Sequence, residues 1–251
     1  MEPQIPQYVE ARIRRETPPG TPVLQGSTPI PSFGDLRTAK IATIGWNPSK
    51  REFVDTEGRE LQGDQRRLET LRSLGVPSLS NASPESVFRV FASCNAYFTR
   101  SPYWWFKKLD AVLRPLGATY YGDDNGKLES ACHLDIVQNA TDPAWGNLNT
   151  SIRGTLIDLD IPFLREQLAS SDLRIVLLNG MGIIRAFEEL VAGSPLTELE
   201  SLRFGRIRLF KGNSIRGFVP IGWNINLQTT YGVSCAELER LGSTVARAID
   251  G

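Results

Sequence analysis

A single histidine, His133, occurs in 251 residues, together with three cysteines and two methionines. A Ser-His-Asp or Cys-His site therefore exists only if His133 carries it. Cys94, Cys132 and Cys235 are odd in number and widely spaced. They form neither a disulfide framework nor close zinc-ligand pairs, and they read as reduced, buried small hydrophobes. No apolar run approaches the ~18 residues of a membrane span. The first residues, MEPQIPQYVEARIRR, lack the apolar stretch of a secretory signal, so a cytoplasmic chain without a membrane partner is expected. Net charge is missing as well, because 28 Lys+Arg stand against 28 Asp+Glu. A dedicated non-specific binder of nucleic acid carries an excess of cations, so any such attraction has to come from a local patch. The sequence points to no metal, no cofactor and no obligate protein partner.

The composition is that of an ordinary globular protein, 41% hydrophobic and 22% charged, and a chain of this length buries roughly 70–75% of its unfolded surface. Seven prolines fall in the first 31 residues, which predicts an extended N-terminal arm over 1–31 and a compact domain over 32–251. Residues 39–45, AKIATIG, read as a buried parallel strand ending in a glycine turn. Apolar spacing predicts helices over 64–74, capped by Gly75, over 84–97 and over 103–116. A second buried strand, 131–138, runs into the irregular loop NATDPAWGN. Helix 154–169, strand 174–180 and helix 181–192 follow, then a hairpin over 206–223 turning at Lys211-Gly212-Asn213, and a last helix over 234–248. This alternation predicts a three-layer α/β/α single domain around a mostly parallel central sheet.

Ligands of open α/β sheets lie beyond the carboxyl ends of the strands. Four junctions qualify: Gly45-Trp46-Asn47-Pro48-Ser49, His133-Leu134-Asp135, Asn179-Gly180-Met181-Gly182, and Gly222 to Gln228. The third has two glycines opening a helix but lacks the third glycine and the later carboxylate of a dinucleotide site, and it reads as a tight strand-to-helix turn. The first places an amide side chain at the rim of the sheet, with Pro48 stiffening the turn.

The segment IATIGWNPS resembles the first motif of the uracil-DNA glycosylase superfamily, in the Gly-x-Asn-Pro form of its mismatch-directed thymine-DNA glycosylase branch. HLDIVQNATDP, a helix, and RIVLLNGMGIIRAF are similar in order and spacing to that branch's second strand and loop, connecting helix and next strand. Together these cover about residues 33–235. The usual His-Pro-Ser or Asn-Pro-Ser loop is replaced by Gly222-Trp223-Asn224-Ile225-Asn226-Leu227. The resemblance implies a monofunctional DNA glycosylase of the same fold, which flips out a pyrimidine and leaves an abasic site. Such a reaction passes through an oxocarbenium-like sugar and a departing base, and it requires a placed water and stabilisation of the base rather than a metal or a covalent nucleophile. The Asn47 carbonyl suits the orienting of water. Gly45 and the Trp46 N–H lie where a base carbonyl would bond, Phe53 is a candidate to stack on an extruded base, and Asn179 is a further candidate at the base.

Asp135 stands where the branch has an asparagine facing the flipped pyrimidine. An ionised carboxylate only accepts, which matches the exocyclic amine of cytosine; a protonated one donates to cytosine N3. The favoured substrate is accordingly a modified cytosine, such as the glucosylated 5-hydroxymethylcytosine of phage DNA that bacterial defence glycosylases of the superfamily remove. His133, two residues earlier, is a candidate partner of Asp135 or a phosphate, against a satisfied core histidine. Arg203, Arg206, Arg208, Lys211 and Arg216 form an acid-free run beside the last junction, read as a phosphate-binding strip. Asn224, Asn226 and Gln228 are candidate DNA contacts, with Leu227 as an exposed wedge. Ser101 to Lys108 mixes aromatics with lysines and is a candidate channel for single-stranded DNA. The partner expected is DNA, double-stranded with a flipped base or single-stranded. Uracil or mismatched-thymine repair, non-catalytic binding of modified or abasic DNA, and a small-molecule N-glycosidase are the competing readings.

Overall fold

In the computed structural model, residues 4–100, 102–123, 125–202, 205–229 and 233–250 are described. Along the chain come α1 (Gln7–Arg14), β1 (Ile41–Gly45), α2 (Leu71–Leu74), α3 (Pro84–Asn95), α4 (Lys107–Leu113), β2 (Ala118–Thr119) and β3 (Glu129–Asp135). Then follow α5 (Thr150–Ala169), β4 (Ile175–Asn179), α6 (Met181–Phe187), β5 (Thr197–Glu198), β6 (Leu209–Lys211), β7 (Val219–Trp223) and α7 (Cys235–Asp250). The strands form a seven-stranded sheet in the order β2-β3-β1-β4-β7-β6-β5. β1, β4 and β7 run parallel, Ile41 facing Ile175 and Ile175 facing Val219. β6 is antiparallel to both β7 and β5. This is the α/β class expected, a mostly parallel sheet with an antiparallel edge, consistent with an α/β/α arrangement. Every residue of β4 is buried, as its unbroken apolar run requires of a strand covered on both faces. Among the described residues no helix is long and apolar enough to cross a membrane.

Contacts divide the chain into two interleaved units. Unit 1 comprises Met1–Gly34, Trp46–Tyr103 and Leu134–Leu168; unit 2 comprises Asp35–Gly45, Trp104–His133 and Ala169–Gly251. In unit 2, α6 lies directly on β7: a Cβ at Gly222 would come within 2.6 Å of the Ile184 side chain. Unit 1 has a core in which α1 and α3 meet, with Val9, Ile13, Val87, Val90, Phe91 and Phe163 buried. Ser83 caps α3 by accepting from the Ser86 N–H, and Pro84 opens the helix where its missing N–H costs nothing.

The N-terminal segment departs from the expected arm, and the packed structure begins well before Ser32. No proline lies between Pro6 and Pro18, and in that window α1 forms immediately after Pro6, burying Val9 and Ile13 one turn apart. Arg12, 3% exposed, binds Asp160 at 3.0 Å and Gln138 at 3.2 Å. Beyond α1 the chain runs along the loop that comes after β3. The N–H groups of Leu24 and Ile30 donate to the carbonyls of Ala140 and Gln138, and the Asp142 N–H donates to the Pro22 carbonyl. The proline-rich segment is thus a built part of unit 1.

Other boundaries moved for local reasons. Of the helix expected over 64–74, only Leu71–Leu74 is α-helical, preceded by a one-turn 3-10 helix at Gly63–Gln65, because Thr70 pairs with Ser27 and starts the helix as its cap; Gly75 ends it at φ 68° as expected. The strand expected over 131–138 is Glu129–Asp135. Its last three expected residues are instead held by bonds such as Gln138 N–H to Asp160, 2.8 Å. The hairpin connection spans 212–218, where Ile215 bridges Phe218 and Arg216 has φ 48°.

Candidate functional site

Unit 1 gathers Trp46, Asn47, Phe53 and Asp135. Past the end of β1 the Trp46 carbonyl accepts from the Val137 N–H at 2.9 Å, which joins this turn to the loop after β3. The Trp46 ring stacks on Trp145, centroids 5.5 Å apart and planes 21° apart. Asn47 Nδ2 donates to the Asn139 carbonyl at 3.2 Å and to Thr141 Oγ1 at 3.1 Å. A backbone carbonyl only accepts, which fixes the amide with its nitrogen on that side. Asn47 Oδ1 has no hydrogen-bond partner among the described residues. A rigid turn therefore presents one open carbonyl oxygen. The same loop after β3 that anchors Asn47 is itself held by α1, α5 and residues 22–30.

Ser49 then caps the one-turn helix Lys50–Glu52 by accepting from the Arg51 N–H. Lys50 binds Asp142 at 2.8 Å. Phe53 is only 2% exposed. It is held by its own N–H to the Lys50 carbonyl and by the Leu61 N–H to its carbonyl. With Val54 and Asp142 it lines a pocket of about 500 Å³, within the usual range for small ligands, whose lining does not include Asn47, Glu52 or Asp135.

Glu52 is the residue that sequence reasoning missed. It is 2% exposed, and its Oε2 accepts from the Tyr97 hydroxyl at 2.6 Å, which in turn accepts from the Tyr103 N–H at 3.0 Å. Burial pushes the carboxyl up to about 7, opposed by the Tyr97 hydrogen bond and by Arg67, with the negative charge of Asp135 adding to the rise. Asp135 is 4% exposed. The Asp135 charge thus acts on Glu52 within one buried cluster. Tyr97 is fixed by Phe33, ring centroids 4.7 Å apart at 77°, and its phenol is driven upward by burial and then by Glu52. A glutamate in the string SKREF looks like surface charge; the one available signal was its place beside Phe53, five residues after Asn47.

Unit 2 holds the remaining candidates. Gly45 ends β1. His133 is 5% exposed. Its Nδ1 lies 2.6 Å from Thr43 Oγ1, which also bonds the Tyr120 hydroxyl, and its ring meets Phe106 edge-on. It is a satisfied core histidine. Asn179 does not offer its amide to a base: Oδ1 accepts from Trp223 Nε1 at 2.9 Å and from the Leu227 N–H at 3.0 Å, while Nδ2 donates to Asn226 Oδ1 and Gln228 Oε1. It organises the last loop. Gly180 comes next at φ 105°, with Asn226 only 3.3 Å from where a Cβ would sit, so the tight-turn reading of this junction holds.

Leu227 is not a wedge. It is fully buried, its N–H held by Asn179 and its carbonyl by Lys108 at 3.0 Å. Asn224 is spent on the backbone of Arg208 and Arg206, Asn226 on Asn179 and the N–H groups of Gln228 and Thr229, and Gln228 on Asn179 and the Trp105 carbonyl. Within the basic run, Arg208 pairs with Glu198 and lies over Phe210, and Lys211 caps the Ala248 carbonyl. Arg206 and Arg216 are exposed; Arg203 lies outside the described residues. Two of the five expected cations are therefore engaged in holding neighbouring elements of the fold, Arg208 on β5 and Lys211 on α7. Of the aromatic cluster, Ser101 lies outside the described residues, Phe106 is buried and Trp104 is 57% exposed.

Fold and site define an α/β protein with an anchored asparagine past its first strand and a buried carboxyl cluster beside it. No known protein family matches the chain, and no curated protein does.

Proposed function

We propose that this chain is a monofunctional DNA glycosylase, hydrolysing the bond between a flipped pyrimidine and its sugar to leave an abasic site. The observation that carries the reading is Asn47, whose amide nitrogen is fixed by Asn139 and Thr141 while its carbonyl oxygen stays open. An oriented acceptor of this kind holds a water for attack on C1′ without the basicity of a carboxylate, which suits a selective enzyme. Buried Asp135 and Glu52 support a modified cytosine as the base, because a carboxyl pair meets the amine and ring nitrogen of its edge. The test is base release from duplexes carrying uracil, mismatched thymine or glucosylated 5-hydroxymethylcytosine, with Asn47→Ala alongside. Release of the modified cytosine, lost in Asn47→Ala while duplex binding persists, is expected. Release of uracil alone would return the protein to repair, and binding without any release would make it a reader of modified DNA.

A further inference from the structure

We infer that Glu52 is the acid of the reaction, delivering a proton to the departing base, and that the substrate is consequently a pyrimidine that leaves poorly as an anion. This inference rests on the glycosylase reading and names the chemistry of its substrate. Three observations converge on Glu52. It sits five residues beyond Asn47, at the end of the one-turn helix Lys50–Glu52 that follows the anchored turn. Its Oε2 is pinned by Tyr97, which leaves Oε1 without a hydrogen-bond partner among the described residues. Beside it, Arg67 donates NH1 to the Arg51 carbonyl at 2.7 Å, yet its Nε is buried with no partner. A buried polar atom without a partner, as Arg67 Nε is, costs stability unless something bonds to it, and a base edge meeting the free Glu52 Oε1 beside it supplies complementary groups.

The groups facing Glu52 are the Tyr97 hydroxyl, the Arg67 guanidinium and the Asp135 carboxylate. The first two favour its ionised form and the third its protonated form. Near neutrality the balance leaves a carboxyl that both holds a proton and can release it, the condition under which general acid catalysis is most effective. In the step itself, water held by Asn47 bonds to C1′ as the C1′–N1 bond breaks. The bonding pair passes to the base, the Glu52 proton moves to N3, and the base departs neutral. The proton released by the water returns to the Glu52 carboxylate through solvent, so no further reactant is consumed. Uracil spreads its negative charge over two carbonyls and needs this proton little. An aminopyrimidine lacks one of those carbonyls and needs it much more.

The experiment is single-turnover release from duplexes carrying uracil or the glucosylated cytosine, from pH 5 to 9, for the wild type, Glu52→Gln, Tyr97→Phe and Asn47→Ala. Wild-type release of the modified cytosine should fall above a pH of about 7. Glu52→Gln should lose roughly 10²–10⁴-fold with that fall abolished, consistent with the usual worth of a general acid, and lose far less on any uracil released. Tyr97→Phe removes a donor that favours the carboxylate, so the fall should move to higher pH. That shift keeps the inference open to test if Glu52→Gln does not fold. An unchanged pH profile in both variants, while Asn47→Ala is inactive, would overturn the role of Glu52 and leave the glycosylase intact. Release of no base by the wild type would remove both readings together.

Discussion

At the scale of single residues, the candidate site rests on how few polar atoms are left open. Asn47→Ala strands the Asn139 carbonyl and Thr141 as well as removing the open carbonyl oxygen. A loss of about 1–3 kcal/mol in stability is expected, together with base release reduced by roughly 10²–10³-fold; denaturant titration and single-turnover release separate the two. Glu52 makes a second prediction from protonation alone. Its pKa is raised from 4.5 to about 7, so the folded state holds the proton that the unfolded chain has already released. The Glu52 contribution to stability is therefore fully present below about 4.5, is lost as pH rises towards 7, and is level above. The span corresponds to on the order of 3 kcal/mol, and Glu52→Gln should flatten it in urea denaturation at pH 5 and pH 8. A slope that persists in the variant would assign it to other groups. Asn47 was legible in the sequence because a strand end, a glycine and a proline frame it. Glu52 was not, since its burial depends on Tyr97 and Asp135, 45 and 83 positions further along the chain.

Elements show why some of the expected contacts turned inward. The loop after β7 reads as exposed because it is polar around two apolar residues, yet Asn179 binds it at three points and draws Leu227 into the interior. Leu227→Ala should accordingly cost roughly 2–5 kcal/mol of stability and leave the affinity for duplex DNA nearly unchanged; a weakened affinity with unaltered stability would restore the wedge. The N-terminal segment erred in the opposite direction. Counting prolines signals an extended arm, lying over the domain or loose in solvent, whereas the gap between Pro6 and Pro18 is long enough for α1, and its Arg12 meets Asp160 in the interior. Arg12→Ala leaves that carboxylate without its innermost partner, a change that costs about 3–5 kcal/mol in comparable buried pairs. Since the Arg12 partners also hold the loop carrying Asn139 and Thr141, base release should fall along with thermal stability. The long periodic elements, α3, α5 and β4, were readable because each buries a continuous face. The boundaries of α2 and β3 were not, since tertiary bonds to Ser27 and Asp160 set them.

For the whole molecule, the balance of 28 cations and 28 anions now has a structural counterpart, because Arg208 is paired with Glu198 and Lys211 is bonded to the Ala248 carbonyl. Among the described residues of that run, Arg206 and Arg216 remain exposed to displace counterions from DNA. The salt dependence of duplex binding should therefore be shallow, with a slope of log affinity against log salt of about −2 to −3; a slope near −6 in a fluorescence titration would require a phosphate-binding face elsewhere on the chain.

The interleaving of the two units has a consequence for how such a protein can change over generations. A single genetic crossover anywhere between Asp35 and Leu168 separates parts of both units, so neither can be inherited as a cassette or borrowed from another gene. Descent of this architecture is restricted to duplication of the whole reading frame and to substitution or loop exchange within it. A new specificity at the candidate site would then arise by replacing side chains around Asn47 and Glu52 rather than by grafting a new recognition module.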